Sequence, residues 1–216
     1  MDITVISDTH RLHRTLELGS GDVLIHCGDF QGSKPLLDDF LDWFSEQNYK
    51  HKIMIAGNHD WQIAELGYER MYKKAKEQGI IYLENTSVKI DDILFYGAPW
   101  SNEYGGWDFM KEDNELFYEW QKIPLETNVL ITHGPALGVG DRVPMSYSGS
   151  GNSVGSQSLA NRIRELPKLK YHFYGHIHWD TGIYEKKKYI SINAALSYEY
   201  FEGRRNSLKK PINIKI

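Results

Sequence analysis

Five short apolar runs, each ending in glycine, aspartate, asparagine or histidine, are the feature of this sequence that most restricts its fold. They cover residues 3–6, 22–26, 52–56, 129–132 and 171–174. Their length and β-rich composition predict buried strands. Apolar residues at helical spacing in 35–47, 61–78 and 153–166 predict helices between the strands. This alternation indicates an α/β (α+β) fold, in which the polar carboxyl ends of parallel strands form the functional site.

Two other regions have a different pattern. Between residues 80 and 97, and again from residue 182, short strand-like segments follow one another without long helices. We therefore expect a second, mixed sheet packed against the first. Residues 100–107 and 139–155 are long loops rich in glycine, serine and aromatic residues. The sequence shows no repeat or linker, so we expect a single domain spanning residues 1–216.

The composition is that of an ordinary soluble protein. The 216 residues are 41% hydrophobic and 25% charged, and the net charge of −4 gives no general attraction to nucleic acid. Cys27 is the single cysteine, which excludes an intramolecular disulfide and fits a reducing compartment. The N-terminus lacks signal-peptide features, and apolar runs are too short for a membrane helix. We expect a cytoplasmic protein with no membrane or nucleic-acid partner; the oligomeric state stays open.

Potential metal ligands follow each of the five apolar runs. They are Asp8, His10, Asp29, Asn58, His133, His176 and His178, with His59 beside them. Each short motif alone is common, and the histidine pair at 176 and 178 alone is typical of a polar strand edge. Five such signals in order are poorly explained as independent accidents.

The types of donor atom favour particular metals. Mixed oxygen and imidazole donors suit Mn, Fe, Zn or Co better than Ca or Mg. Seven ligands are too many for one ion, but they fit two ions a few Å apart with a bridging carboxylate. That arrangement is used for in-line attack on phosphorus.

Taken together, these motifs resemble the calcineurin-like metallophosphoesterase superfamily. The residues that carry the resemblance are Asp8-Thr9-His10, Gly28-Asp29, Gly57-Asn58-His59-Asp60, His133-Gly134 and Gly175-His176-Ile177-His178. The local wording, such as GDVLIHCGDF, KIMIAGNHD and VLITHGPALG, is most similar to the metallophosphoesterase-domain (MPPED-like) phosphodiesterases. The resemblance implies two packed mixed β-sheets flanked by helices in four layers.

The resemblance also implies a role for each matching residue. The first metal would be held by Asp8, His10 and His178, and the second by Asn58, His133 and His176. Asp29 would bridge the two ions, which we expect to be Mn, with Fe, Zn, Co or Ni as alternatives. His59 would not bind metal but would face the scissile bond as the catalytic histidine.

One departure from the superfamily pattern matters. The second motif continues as Phe30-Gln31-Gly32 and lacks the aspartate and arginine that follow in Ser/Thr protein phosphatases of this superfamily. This argues against the protein phosphatase branch and removes the usual partner of the catalytic histidine. Asp60 either orients His59 or caps the helix that begins near Trp61, and its residue type favours the cap.

The candidate substrate contacts come from residue type and loop position. His13 and Arg142 are candidates for phosphate binding, and Trp100 and Tyr147 for stacking on a nucleobase. Asn193 is a candidate for supporting the metal-binding histidines. Surface or packing roles are the alternatives for these residues.

The leading hypothesis is a phosphodiesterase of small nucleotides, cyclic ones included. A hydroxide bridging the two metals would attack phosphorus in line, and His59 would protonate the leaving oxygen. The small-molecule partner would be a phosphate ester, expected to be a nucleotide. The alternatives are a phosphomonoesterase or nucleotidase that uses the same site, and a metal-binding scaffold with little catalysis.

Overall fold

The computed structural model describes residues 1–31, 35–145, 152–198 and 207–216, and it contains two large mixed sheets. The first sheet has the order β13-β1-β2-β3-β4. Its strands are β1 (Asp2–Ile6), β2 (Gly21–His26), β3 (Tyr49–Met54), β4 (Ile81–Tyr82) and β13 (Ile212–Lys215). β1 to β4 are parallel to one another, and β13 is antiparallel to β1.

The second sheet has the order β11-β12-β10-β9-β6-β5. Its strands are β5 (Thr86–Ile90), β6 (Ile93–Ala98), β9 (Val129–Thr132), β10 (Tyr171–Tyr174), β11 (Gly182–Glu185) and β12 (Ile190–Asn193). The four inner strands are parallel, and β5 and β11 run antiparallel at the two edges. A two-stranded ribbon, β7 (Ser101–Asn102) and β8 (Met110–Lys111), lies in the loop after β6.

Helices cover the outer faces of the two sheets. They are α1 (Leu37–Ser45), α2 (Trp61–Leu66), α3 (Tyr68–Glu77), α4 (Asp113–Trp120) and α5 (Gln157–Glu165), with a 3₁₀ turn at His13–Thr15. The first three pack on the first sheet, and α4 and α5 pack on the second. None of the described helices combines the length and apolar character that crossing a membrane requires.

The alternation of side chains along each strand explains the four layers. In β2, Val23 and Ile25 point into the cluster between the sheets, while Leu24 joins the cluster under α1. In the second sheet, Ile131 faces the first sheet, and Leu130 faces α4 and α5. Because successive side chains in a strand leave on opposite faces, a continuous apolar run buries both faces of its sheet.

The expected fold class is confirmed, and two details of the prediction are wrong. All five apolar runs form strands, but β9 and β10 belong to the second sheet, while 81–82 and 212–215 join the first. The pattern over 61–78 gives two helices, because the chain is interrupted at Gly67. Sequence periodicity identifies strands but does not determine which sheet each one joins.

The core between the sheets should be sensitive to loss of volume. Phe173 in β10 is fully buried there, so Phe173→Ala should lower the free energy of unfolding by about 3–5 kcal/mol. Phe117 in α4 is 48% exposed, and the matched variant Phe117→Ala should stay within about 0.5 kcal/mol of wild type. Denaturant unfolding of both variants measures this difference, and equal losses would contradict the assignment of Phe173 to the core.

Candidate metal centre

The seven predicted ligands converge where the carboxyl ends of both sheets meet. Asp8 and His10 follow β1, Asp29 follows β2 and Asn58 follows β3, while His133 follows β9 and His176 and His178 follow β10. The first sheet thus supplies four of them and the second sheet three. Since β1, β2, β3, β9 and β10 all end on this side, the strand ends bring these residues together.

Asp8, His10 and His178 form the first group. The Nε2 atom of His178 lies 3.1 Å from Oδ1 of Asp8 and 3.3 Å from Nε2 of His10. Ligand atoms bound to one transition-metal ion at about 2.0–2.2 Å lie roughly 3–3.6 Å apart. The separations in this group therefore match the edges of a coordination shell.

The second group contains His133, His176 and Asp29, with Asn58 beside them. Nε2 of His133 lies 2.9 Å from Oδ1 of Asn58 and 3.3 Å from Oδ2 of Asp29. The same Oδ2 atom lies 3.8 Å from Nε2 of His10 in the first group. Asp29 therefore lies between the two groups, at the position of a bridging ligand.

The protonation of the imidazoles shows that both groups suit a cation. Nδ1 of His133 donates to the carbonyl of Cys27 at 2.9 Å, and Nδ1 of His10 donates to the carbonyl of Gln31 at 3.2 Å. A carbonyl only accepts hydrogen bonds, so in each neutral ring the Nε2 lone pair points into the site. These lone pairs face other nitrogen and oxygen acceptors, an arrangement that a shared cation stabilises.

The pKa shifts report the same concentration of acceptors. Burial lowers the pKa of His133, but the charges of Asp29 and Asp8 and the hydrogen bonds to Asp29 and Cys27 raise it to about 9. Burial would raise the pKa of Asp8, but its hydrogen bond to His178 and the nearby imidazoles hold it well below the usual range. Burial lowers the pKa of His176 to about 3, which leaves a neutral ring suited to a metal. The raised pKa of His133 therefore shows that positive charge is stabilised beside Asp29.

Unusual backbone conformations aim the ligands into the site. Asp8, His10, Asp29 and His176 have φ values of 53°, 38°, 61° and 67°, in the left-handed region that only a few per cent of residues other than glycine adopt. The two histidine-containing pairs, at 8 and 10 and at 176 and 178, are therefore not in extended segments. A turn at His176 sends that ring to the second group while His178 joins the first. Strain of this kind is concentrated at functional sites.

Two glycines allow the ligand-bearing loops to approach each other closely. A Cβ atom on Gly28, whose φ is +98°, would lie 2.7 Å from Nδ1 of His133 and from the backbone of residues 56 and 57. A Cβ atom on Gly175 would collide with the Asp8 carboxylate and the Ser7 side chain. Backbone contact also joins the sheets, since the His176 N–H donates to both Asp8 carboxylate oxygens at 2.9 and 3.1 Å.

His59 lies at the edge of the two groups and belongs to neither. Its backbone N–H donates to Oδ1 of Asp29 at 2.8 Å, which fixes it beside the site. Its ring centroid lies 5.2 Å from that of His10 and 4.4 Å from that of Trp107. Together with Asp29, Asn58, His176 and His178, it lines a cavity of about 410 Å³.

Comparison with known proteins agrees with this geometry. The profile of the family described as "Calcineurin-like phosphoesterase" matches residues 1–180. The chain belongs to this family. The human protein "Metallophosphoesterase domain-containing protein 1" is 31% identical over 214 residues, covering 88% of this chain. A UPF0046 protein of Caenorhabditis elegans is 34% identical and also covers 88% of this chain.

Coverage and structural similarity limit what these relatives say. The chain spans 64% of the human relative and 73% of the nematode one. Among solved structures, phosphopantetheinyl hydrolase from Mycobacterium tuberculosis aligns with a TM-score of 0.60 at 14% identity, covering 97% of this chain and 95% of its own. TT1561 of Thermus thermophilus aligns with a TM-score of 0.61 at 14% identity, covering 89% and 88%. Similarity at this level of identity establishes the phosphoesterase fold.

Asp60 has neither of the two roles expected from sequence. Its side chain does not cap α2, and it is fully buried. Oδ2 accepts the N–H groups of Asp29 and Gly57 at 2.8 Å each, and Oδ1 accepts that of Gln31 at 3.0 Å. Burial and the Asp29 charge raise the pKa of Asp60 to about 8, against these donors, which lower it. Asp60 therefore joins the loop after β2 to the loop after β3.

The expected substrate contacts are mostly elsewhere. His13 is buried between Phe40 and Trp43, with Nε2 2.8 Å from Asp39, so it cannot reach a phosphate in the cavity. Trp100 donates from Nε1 to Asn85, and the Lys111 ammonium lies over its ring in a cation–π contact. Arg142 is exposed and does not line the cavity, whereas its neighbour Val143 does. Tyr147 lies outside the described residues.

Two further residues, Asn193 and Ile177, lie at the loop that carries His176 and His178. The Nδ2 atom of Asn193 donates to the backbone carbonyls of Ile177, Asp180 and Gly140, and it thereby supports the loop that carries His176 and His178. Ile177, between the two histidines, lines the cavity. The turn at His176, where φ is 67°, accounts for this position of Ile177.

Sequence reasoning missed the aromatic and polar wall of the cavity. The wall includes Asn102, Glu103, Tyr104, Trp107 and Trp179. Four of these lie in the loop 100–107, which is recognisable in the sequence as aromatic and glycine-rich. Pairing of the short strands β7 and β8, which brings this loop over the site, has no such signal.

Metal stoichiometry should separate the two groups of ligands. We expect about two ions per wild-type chain and about one in His178→Ala or His176→Ala, since these residues serve different groups. Asp29→Ala should lose both ions, because Oδ2 of Asp29 lies between the two groups. Elemental analysis after dialysis measures this, and His51→Ala, a strand residue outside both groups, serves as control.

Removing the Asp60 carboxylate should destabilise the site loops. Asp60→Ala leaves three buried N–H donors without their acceptor, so the free energy of unfolding should fall by on the order of 3 kcal/mol. The surface variant Asp92→Ala, which loses one exposed ion pair, should change it little. Denaturant unfolding compares the two, and an unchanged stability in Asp60→Ala would show that these bonds do not hold the loops.

Proposed function

We propose that this chain is a dinuclear-metal phosphodiesterase that hydrolyses small nucleotides, cyclic nucleotides included. One observation carries the proposal: Oδ2 of Asp29 lies 3.3 Å from Nε2 of His133 and 3.8 Å from Nε2 of His10, between two groups of potential ligand atoms that border a cavity of about 410 Å³. Membership of the calcineurin-like phosphoesterase family supports the reaction class. The likeness to a metallophosphoesterase domain-containing protein supports the same reaction class.

The two ions would be held by residues that the structure brings together. Asp8, His10 and His178 would hold one ion, Asn58, His133 and His176 the other, and Asp29 both. Divalent ions bound there would make a water nucleophilic near neutral pH and offset charge on the phosphoryl oxygens. Mixed oxygen and imidazole donors suit Mn, our expected metal, as well as the alternatives Fe, Zn, Co and Ni.

His59 is positioned to act as the proton donor. It lines the cavity outside both ligand groups, and the bond from its backbone to Asp29 ties it to the bridging position. An alkoxide is a poor leaving group, so a donor at this point lowers the barrier to breaking the ester bond. The described residues place no carboxylate on the His59 ring to orient it; Trp107 packs against it.

The charge of the cavity favours a diester over a monoester. Among the described residues that line it, the cationic side chains Lys and Arg are absent, while Asp29 and Glu103 are acidic. A diester phosphate carries a single negative charge, whereas a monoester phosphate carries up to two near neutral pH. With only the ions to offset charge, the more weakly charged ester is accommodated better.

Paired chromogenic substrates test the reaction class. With Mn²⁺ at full occupancy, bis(p-nitrophenyl) phosphate should be hydrolysed with a higher kcat/KM than p-nitrophenyl phosphate. A higher value for the monoester would instead support a phosphomonoesterase or nucleotidase. Failure to hydrolyse either ester, with two ions bound, would support a metal-binding scaffold.

The role of His59 should depend on the leaving group. His59→Ala should lower kcat for release of a nucleoside alkoxide by roughly 10²- to 10⁴-fold, because that oxygen needs a proton. Release of p-nitrophenolate should fall much less, since this ion leaves without one. Metal content should stay at two ions. Loss of metal in this variant would show that His59 is a ligand.

A further inference from the structure

Exposed aromatic side chains surround the mouth of the cavity. Tyr104 is 60% and Trp107 52% exposed, whereas Trp120 in the core is 1% exposed. Trp179 and the apolar side chains of Val143 and Val154 continue the same wall. Large apolar surface at a concave site is typical of ligand binding.

The aromatic wall begins at the reaction centre. The Trp107 ring is the one that packs on His59, with ring centroids 4.4 Å apart. The preceding Gly105 and Gly106 have φ values of +84° and +73°, and the N–H of Gly106 donates to Oε1 of Glu103 at 2.7 Å. The loop is therefore held in a defined turn that presents Trp107 beside the catalytic histidine.

Two hydrogen-bond acceptors lie on this wall beside the aromatic rings. Asn102 uses Nδ2 to donate to the carbonyl of Val154 at 2.9 Å. Its Oδ1 is buried and has no hydrogen-bond partner within the described parts of the chain. A buried acceptor without a partner is unfavourable, so a ligand that donates to it gains affinity. The Glu103 carboxylate is a second acceptor on the same wall.

Resting on the proposed function, we propose that this wall is a subsite for a nucleobase with an exocyclic amine, carried on a singly charged phosphodiester. The flat ring stacks on the aromatic side chains, with Trp107 as the main contact. The amine donates to Oδ1 of Asn102. Acidic Glu103, with no Lys or Arg on the described lining, disfavours substrates with additional phosphates.

A matched pair of substrates isolates the amine. Adenosine cyclic monophosphate and purine riboside cyclic monophosphate differ only in whether C6 carries an amine or a hydrogen. Wild type should prefer the adenosine compound by about tenfold or more in kcat/KM, and Asn102→Ala should remove the preference. An equal preference in wild type and Asn102→Ala would overturn the assignment of Asn102.

A second comparison isolates the ring. Trp107→Ala should lower kcat/KM for adenosine cyclic monophosphate roughly ten- to a hundredfold more than for methyl p-nitrophenyl phosphate, which has no base. Tyr118→Ala removes an aromatic side chain that is 70% exposed on α4, outside the cavity lining, and should leave both rates unchanged. An equal loss on both esters in Trp107→Ala would contradict stacking.

Direct binding separates failure of the subsite from failure of the proposed reaction. In calorimetric titrations of the Mn²⁺-loaded protein, adenosine monophosphate should bind more tightly than purine riboside monophosphate, and Asn102→Ala should abolish the difference. If this discrimination appears without diester hydrolysis, the subsite stands and the diesterase proposal fails. If diesters are hydrolysed without discrimination between the bases, the subsite proposal fails alone. Unchanged Tm and metal content of both variants exclude misfolding.

Discussion

The arrangement of the metal centre depends on backbone segments that approach more closely than ordinary side chains permit. The buried Asp60 carboxylate accepts N–H groups from the loops after β2 and β3, and it thereby fixes Asp29 relative to Gly57. Glycine at positions 28 and 175 leaves room for ligand side chains of neighbouring loops. Main-chain N–H groups bonded to a buried carboxylate, and glycines that leave room for neighbouring side chains, thus help to set the positions of the candidate ligands.

Asp8, which follows β1 of the first sheet, makes hydrogen bonds to residues that follow strands of the second sheet. Its carboxylate accepts the N–H of His176 from the end of β10, and its carbonyl accepts the Ser197 hydroxyl at 2.6 Å. The apolar cluster between the sheets brings their strand ends together, and these polar bonds then fix the distance across the gap. A loss of packing between the sheets should therefore be felt as a loss of metal affinity, since each group of ligands draws on both sheets.

The strands, the fold class and the candidate ligand residues that the structure brings together were accessible from the sequence, because each depends on a local pattern. Apolar runs that end in metal-binding residue types identify β1, β2, β3, β9 and β10 together with their functional ends. Sheet membership was not accessible, because β9 and β10 have the same apolar character as β1. The turn at His176, and with it the position of Ile177, depends on a hydrogen bond to Asp8, 168 residues away. The positions of His13 and Trp100 outside the cavity lining were not accessible either, because residue type does not reveal partners such as Asp39 and Asn85.

The metal centre and the wall of the cavity differ in how far the sequence alone predicts them. The candidate ligands lie on strand ends and follow from the fold, whereas the wall is built by loop 100–107 together with Val143, Val154 and Trp179, whose approach is a tertiary feature. Anomalous diffraction from crystals of the Mn²⁺-loaded protein tests most directly whether the two groups of residues bind two metal ions. We expect two anomalous peaks about 3.5–4 Å apart with Asp29 between them, one beside His178 and the other beside His133. A single peak, or two peaks that do not share Asp29, would contradict this expectation.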